Sequence, residues 1–300
     1  MTEIPVLITY DVHITNYPLE EIRRALYEVL KEQARISSTA TLFFPAEAAR
    51  LLKAEVRELA SAGHEIGCHG LTHRSGELYD RLGADDQMDR LRRATAELED
   101  VVGGPVRAFR APAFRISAAT FRALDELGYD ADLSINSQRL GLLSSDPWNF
   151  AWLIAPRTPY HPDGYSTWRS GRLRLWEIPL SCFILPFMSK TLMIFGLAMM
   201  HWFFRGLLAE SSVTRKPIVF MTHPEELLAD LNTLPRQPFR WRHLLPSEYG
   251  FEFRHALLER DPRAVVRMSR DLFDHMRSVD RIAYLTVRDY VRRLNKASAE

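Results

Sequence analysis

Cysteine is almost absent from this chain: Cys68 and Cys182 stand in unrelated contexts. Two isolated thiols cannot build a disulfide framework, so a reducing compartment is expected. An excess of charge of either sign is also missing. Thirty-nine basic residues face thirty-eight acidic ones, for a net charge of +1, which excludes the basic field of a nucleic-acid binder. There is no low-complexity tract and no repeat of fixed period. The opening Met1-Thr2-Glu3-Ile4-Pro5 lacks the basic and long apolar regions of a secretory signal, so the expected location is cytoplasmic. Long apolar runs are short of what a membrane span needs. The most apolar part, Ile178 to Leu208, is interrupted by Lys190, His201 and Arg205, leaving about ten to fourteen apolar residues in a row.

What is present is an ordinary globular composition. Of 300 residues, 46% are apolar and 26% charged, enough for one large α/β barrel or two modest domains. Val6–Tyr10 reads as a buried strand, and Pro18–Gln33 carries apolar residues at helical spacing. Ser38–Phe44 is the next strand, stopped by Pro45, and Ala46–Ala62 the next helix, capped by Gly63. A helix over Asp85–Val102, a short strand at Ala108–Arg110, a helix from Ser117 to Leu127 and a strand at Tyr129–Ile135 follow. Asn136–Arg172 is rich in proline and aromatics and reads as long loops. Leu173–Pro179 and Pro217–Thr222 resume as strands. Helices at Asp261–Val279 and Val287–Asn295 then flank a short strand at Ile282–Leu285. The alternation predicts a parallel sheet with crossover helices.

The chain is organised around Gly63-His64-Glu65-Ile66-Gly67-Cys68-His69-Gly70-Leu71-Thr72-His73. His69 and His73 are spaced i and i+4, so a helical turn between them would put both imidazoles on one face, toward one ion. Gly67 reads as a tight-turn glycine. Reactive side chains follow strand ends four times: Asp11 with His13, His69 with His73, Arg110, and His223. In a parallel barrel the C-terminal strand ends share one mouth, where these residues can meet. Taken singly each has a plainer reading: Asp11 as a turn cap, Arg110 as a surface ion pair, His223 as a cap before Pro224.

The ordered set resembles the NodB-homology polysaccharide deacetylases, carbohydrate esterase family 4. The matching pieces are Thr9-Tyr10-Asp11-Val12-His13, His69-Gly70-Leu71-Thr72-His73, Arg110-Ala111-Pro112-Ala113-Phe114, Asp132-Leu133-Ser134-Ile135-Asn136, Trp176-Glu177-Ile178-Pro179 and Phe220-Met221-Thr222-His223-Pro224-Glu225. The resemblance implies a single domain over 1–300, an incomplete (β/α) barrel of about seven parallel strands. Its core motifs lie within 6–226, and residues 227–300 supply a loop and helices that complete it. It further implies that His69 and His73 bind a divalent metal, most often Zn2+, with Co2+ or Ni2+ as substitutes. Asp11 would be the base that takes a proton from water, His223 the acid that protonates the leaving amine, and Arg110 the partner that keeps Asp11 ionised. The backbone amide of Tyr160 or a neighbour is a candidate for stabilising the oxyanion.

One departure stands out. The family's usual pair of adjacent aspartates, the second a metal ligand, is interrupted here by Val12. A subgroup with Asp-Val-Asp or Asp-Val-Glu, including deacylases of lipid-linked amino sugars, places the ligand at the third position, which here is His13. The expected site is therefore His13, His69 and His73. Exchanging a carboxylate for neutral imidazole leaves more of the ion's charge unneutralised.

The apolar Ile178–Leu208 stretch reads as a buried barrel helix, or alternatively as an interfacial helix with Trp202, Phe203 and Phe204 at the headgroups. Arg236-Gln237-Pro238-Phe239-Arg240-Trp241-Arg242 is a basic aromatic loop suited to lipid phosphate or to solvent. Together these suggest an amino-sugar or glycolipid substrate, possible peripheral contact with the inner membrane leaflet, and no nucleic acid. Cys68 reads as a small buried residue. The activity expected is removal of an N-acyl group, N-acetyl first, from an amino sugar. A deformylase of a lipid-linked sugar, an amidase of a non-sugar amide and a non-catalytic sugar-binding barrel are the alternatives.

Overall fold

A computed structural model of the chain describes residues 3–139, 150–231, 241, 245–247, 250–251, 257–258 and 261–299. Strand β1 (Ile4–Asp11) lies at its centre, buried along its whole length. Its run from Ile4 to Tyr10, apolar but for Thr9, is what a parallel strand covered on both faces requires. From β1 the sheet passes through β2 (Ala40–Phe44), β3 (Glu65–Cys68), β4 (Ala108–Phe109), β5 (Ala131–Asp132) and β6 (Trp176–Glu177), all parallel. A two-residue hairpin, β7 (Cys182–Phe183) with β8 (Leu185–Pro186), stands apart from it. Strand β9 (Ile218–Thr222) pairs with β1 on the edge opposite β2. A second small hairpin joins β10 (Pro246–Ser247) to β11 (Gly250–Phe251), and β12 (Ile282–Tyr284) pairs with the first residues of β1. The seven strands from β9 to β6 form an incomplete barrel, as the sequence predicts, and β12 adds an eighth parallel strand.

The crossovers are α1 (Leu19–Arg35), α2 (Ala46–Leu51), α3 (Lys53–Ser61), α4 (Ala84–Val102), α5 (Ala118–Glu126) and α6 (Ser189–Thr214); α7 (Pro262–Arg277) and α8 (Val287–Ala299) close the chain. The helix expected over 46–62 is two helices. Leu52, fully buried, takes φ −115° and ψ 33°, and the break turns α3 so that Val56 and Leu59 reach the core. Gly63 follows α3 at φ +90°, the left-handed stop expected of it. The strands expected at 129–135 and 173–179 narrow to two-residue ladders. Carboxylates interrupt them: in the first, Asp132 takes the Ser134 amide at 3.2 Å and Glu177 the Ile135 amide at 3.1 Å; in the second, Asp125 takes the amides of Arg174 at 2.6 Å and Leu175 at 3.1 Å.

Helix α6 is longer than its run of apolar residues suggested. It spans 26 residues, with an extended break at Gly196, where φ is +76° and ψ 177°. By length and composition it is long enough and apolar enough to cross a membrane, a test that the core helix of a soluble protein also passes. One face is core: Phe203 and Phe204 lie 5.4 and 6.1 Å from the ring of Phe187, which itself packs on Phe220 of β9. Burying each such ring contributes roughly 1.5–3 kcal/mol. The opposite face leaves Phe195, Trp202 and Val213 exposed.

Candidate metal centre and its acid–base groups

The strand ends deliver the sequence's candidates to one mouth. Asp11 closes β1 and His13 lies two residues beyond; His69 follows β3, Arg110 follows β4, and His223 follows β9. The ring centroids of His13 and His73 are 4.1 Å apart, of His69 and His73 5.0 Å, and of His13 and His69 5.7 Å. One ring nitrogen from each lies within 4.8 Å of the others. His223 joins them edge-on, 4.9 Å from His13.

The donor chemistry fits a metal. Burial disfavours the charged imidazolium and pushes His69 down to about 3, with His13 and His73 also lowered, so all three rings are neutral near pH 7. His69 Nδ1 lies 2.7 Å from the carbonyl of Arg110. A carbonyl only accepts, so Nδ1 carries the proton and Nε2 presents a lone pair. The Nε2 atoms of His13 and His69 are buried without hydrogen-bond partners, a costly arrangement that an ion would relieve.

His69 and His73 do not share a helical turn. They bracket a loop in which Gly70 has φ +85° and His73 φ +58°. Buried Glu77 holds that loop: its carboxylate accepts the amides of Leu71 and Thr72, the latter at 2.6 Å, and the Thr72 hydroxyl at 2.5 Å. A Cβ on Gly70 would stand 3.0 Å from that carboxylate and in a left-handed conformation, which makes glycine the fitting residue. Gly67 is not a turn residue. It lies within β3, where a Cβ would fall 2.6 Å from the ring of Phe43.

Arg110 is fully buried and Asp11 nearly so, joined by Nη1 to Oδ1 at 2.7 Å. Arg110 Nη1 also donates to Thr9 Oγ1 at 3.0 Å, and its Nε to the Leu133 carbonyl at 3.2 Å. Burial raises the Asp11 carboxyl, but Arg110 outweighs it, with help from His69 and His223, and the group is held below the usual carboxylate range. Behind Arg110, Asp132 and Glu177 are both buried, and both carboxyls are raised by desolvation, Glu177 the further, with the Asp132 charge adding to it. Such a pair keeps a proton near neutrality.

His223 caps the short turn Pro224–Leu227, as its plainer reading had it, and faces the histidine cluster as well. Glu226 receives His223 Nδ1 at 3.1 Å, the His223 amide at 3.2 Å, Thr222 Oγ1 at 2.8 Å and Lys190 Nζ at 2.7 Å. Burial works against the imidazolium, but the Glu226 charge and hydrogen bond prevail and raise the pKa of His223. The Tyr160 amide is not available to an oxyanion, because it donates to the Glu177 carbonyl at 3.0 Å in a β-bridge.

Sequence reasoning missed Glu77, Glu226 and the pairing of Asp132 with Glu177. Glu226 alone carried a signal, a carboxylate three residues past a histidine followed by proline. The basic aromatic loop at 236–242 lies, apart from Trp241, outside the described residues.

Fold and mouth together define an incomplete parallel barrel with a histidine-rich centre at its C-terminal strand ends. Residues 1–131, which carry Asp11, His13, His69, His73 and Arg110, match the family model of the polysaccharide deacetylases; His223 lies beyond the matched span. The fold is similar to that of a candidate polysaccharide deacetylase from Mycobacterium smegmatis, at 16% identity and TM-score 0.63 over 99% of this chain and 92% of that one. A candidate polysaccharide deacetylase from Pseudomonas aeruginosa PAO1 gives 13% and 0.59 over 96% and 90%. Puue allantoinase gives 14% and 0.60 over 96% and 89%. No curated protein matches the sequence.

Proposed function

We propose that this chain is a metal-dependent hydrolase that removes an N-acetyl group from an amino sugar. One observation carries the reading: His13, His69 and His73 cluster, with Nε2 of His13 and of His69 buried and unpartnered, beside an Arg110-paired Asp11 and a Glu226-paired His223. His13, His69 and His73 would hold a divalent ion, Zn2+ by its preference for imidazole, which when bound would supply Lewis-acid polarisation of the amide carbonyl and a more acidic water. Asp11, ionised in its bond to Arg110, accepts the proton that water gives up. His223 delivers a proton to the nitrogen as the C–N bond breaks, so that a poor leaving group departs as an amine. Each such proton transfer contributes about 10²–10⁴-fold. The exposed face of α6, with Phe195 and Trp202, suits a polyprenyl-linked sugar met at a membrane surface, and the first turn of that helix reaches the site through Lys190.

The test is metal content of wild type beside His13→Ala, with acetate and formate release measured from N-acetyl and N-formyl amino sugars. About one ion per chain in wild type, lost together with acetate release in the variant, is the expected result. Release of formate alone would move the assignment to a deformylase. Wild type that takes up no metal on reconstitution would end the hydrolase reading.

A further inference from the structure

Among the buried groups that this chemistry leaves unused, Glu226 makes the most contacts to the site. It is 6% exposed and lies three residues from His223, from which it accepts both a ring and a backbone hydrogen bond. Thr222 Oγ1 adds a third bond at 2.8 Å, and Lys190 Nζ, from the first turn of α6, a fourth at 2.7 Å. A carboxylate without its proton only accepts, so His223 Nδ1 must carry hydrogen, and the transferable proton is confined to Nε2. Pro224 begins the turn with a fixed φ, which restricts the backbone between the two residues.

From this geometry we infer that Glu226, braced by Lys190, is the positioning residue of His223: it sets the imidazole's tautomer and aims Nε2 into the site. The acid is thereby built from one turn of chain, His223 to Glu226, and clamped from outside by α6. Helix α6 is thus a working part of the site as well as a wall of the barrel. The contribution passes through His223 alone, because the bonds that Glu226 makes run to Thr222, His223 and Lys190 and to none of the three clustered histidines.

The inference rests on His223 being the acid, and its test separates the two. In ¹⁵N-labelled protein without substrate, the carboxylate-bonded Nδ1 proton of His223 is assigned by its loss in His223→Gln. Glu226→Gln is expected to shift that resonance upfield and to lower kcat for acetate release from an N-acetyl amino-sugar oligomer about 10–100-fold, with KM within about twofold. Glu226→Asp, which keeps the charge, is expected to retain the resonance and recover part of kcat; it also serves if the glutamine variant does not fold. A resonance unmoved in folded Glu226→Gln overturns the inference whether or not the protein releases acetate. A fall in kcat that Glu226→Asp does not relieve, with the resonance intact, overturns it too.

Discussion

Replacing Glu65 by glutamine should stabilise the protein, and only above mid-range pH. Glu65 opens β3 at the end of the barrel away from the site and is 5% exposed. Its Oε2 accepts from Thr41 Oγ1 at 2.9 Å and from the Arg288 amide, in the first turn of α8, at 2.8 Å. Burial outweighs both bonds and pushes the carboxyl up from 4.5 to about 7. Between these values the folded protein holds a proton that the unfolded chain has released, so stability falls as pH rises through the window and the loss is complete above about 7. A rise of that size corresponds to about 3 kcal/mol. Glutamine is neutral throughout, and its carbonyl still accepts both bonds, more weakly than a carboxylate would. The expected gain is therefore about 1–3 kcal/mol at pH 8 and within about 0.5 kcal/mol of zero at pH 4. Urea unfolding of both proteins across pH 4–8, compared by midpoint at constant slope, measures it. A difference that does not change with pH would refute the reasoning, because packing would then explain the effect and ionisation would not.

Two further outcomes follow from the site and the helix beside it. Glu77→Ala removes the acceptor that shapes the loop between His69 and His73, and metal affinity should fall about 10–100-fold in a chelator competition titration with the far-UV spectrum unchanged; equal affinity would mean the loop holds its shape unaided. Trp202→Glu puts a charge on the exposed face of α6 and should weaken co-sedimentation with anionic vesicles about tenfold or more, whereas unchanged binding would remove α6 from any membrane role.

Much of this architecture was legible because parallel strands announce themselves. Val6–Tyr10 and Ile218–Thr222 are buried runs, apolar but for one threonine each, and the residues after them are the ones that meet. Positions in chain order therefore translated into positions at one mouth. What stayed hidden depended on side chains acting on backbone. Nothing in the sequence near Glu77 distinguishes a loop-shaping carboxylate from a surface one, since its role is to accept the amides of Leu71 and Thr72. Gly67 was misread because a small residue required by a facing ring, that of Phe43 on β2, looks in sequence like one required by a turn. The two-residue ladders of β5 and β6 have the same origin, in carboxylates (Asp132 and Glu177 for β5, Asp125 for β6) that take amides out of the sheet.

The charges at the mouth bear on the proposal that His13 stands where a carboxylate ligand is usual. Asp11 and Arg110 cancel each other within one buried pair, and Glu226 is matched by Lys190 and His223. The three clustered imidazoles are neutral, so the ligand set itself offers a dication no compensating charge. Asp11 is an anion beside them whose charge acts on both His69 and His73. Under the proposed function it would serve both as the base and as the counter-charge, two roles that conflict if its negative charge is fully taken up by Arg110. Arg110 makes that commitment only in part. It reaches Asp11 through Nη1 alone and divides that same nitrogen with Thr9, while its Nε is turned to the Leu133 carbonyl and its Nη2 is left without a hydrogen-bond partner. A bidentate fork would have been the stronger pair. The weaker, single-pronged one keeps Asp11 ionised and still leaves part of its charge to the cluster of histidines. On the proposed ligand set, the single-pronged grip of Arg110 and the place of His13 among the ligands would be two parts of one electrostatic solution.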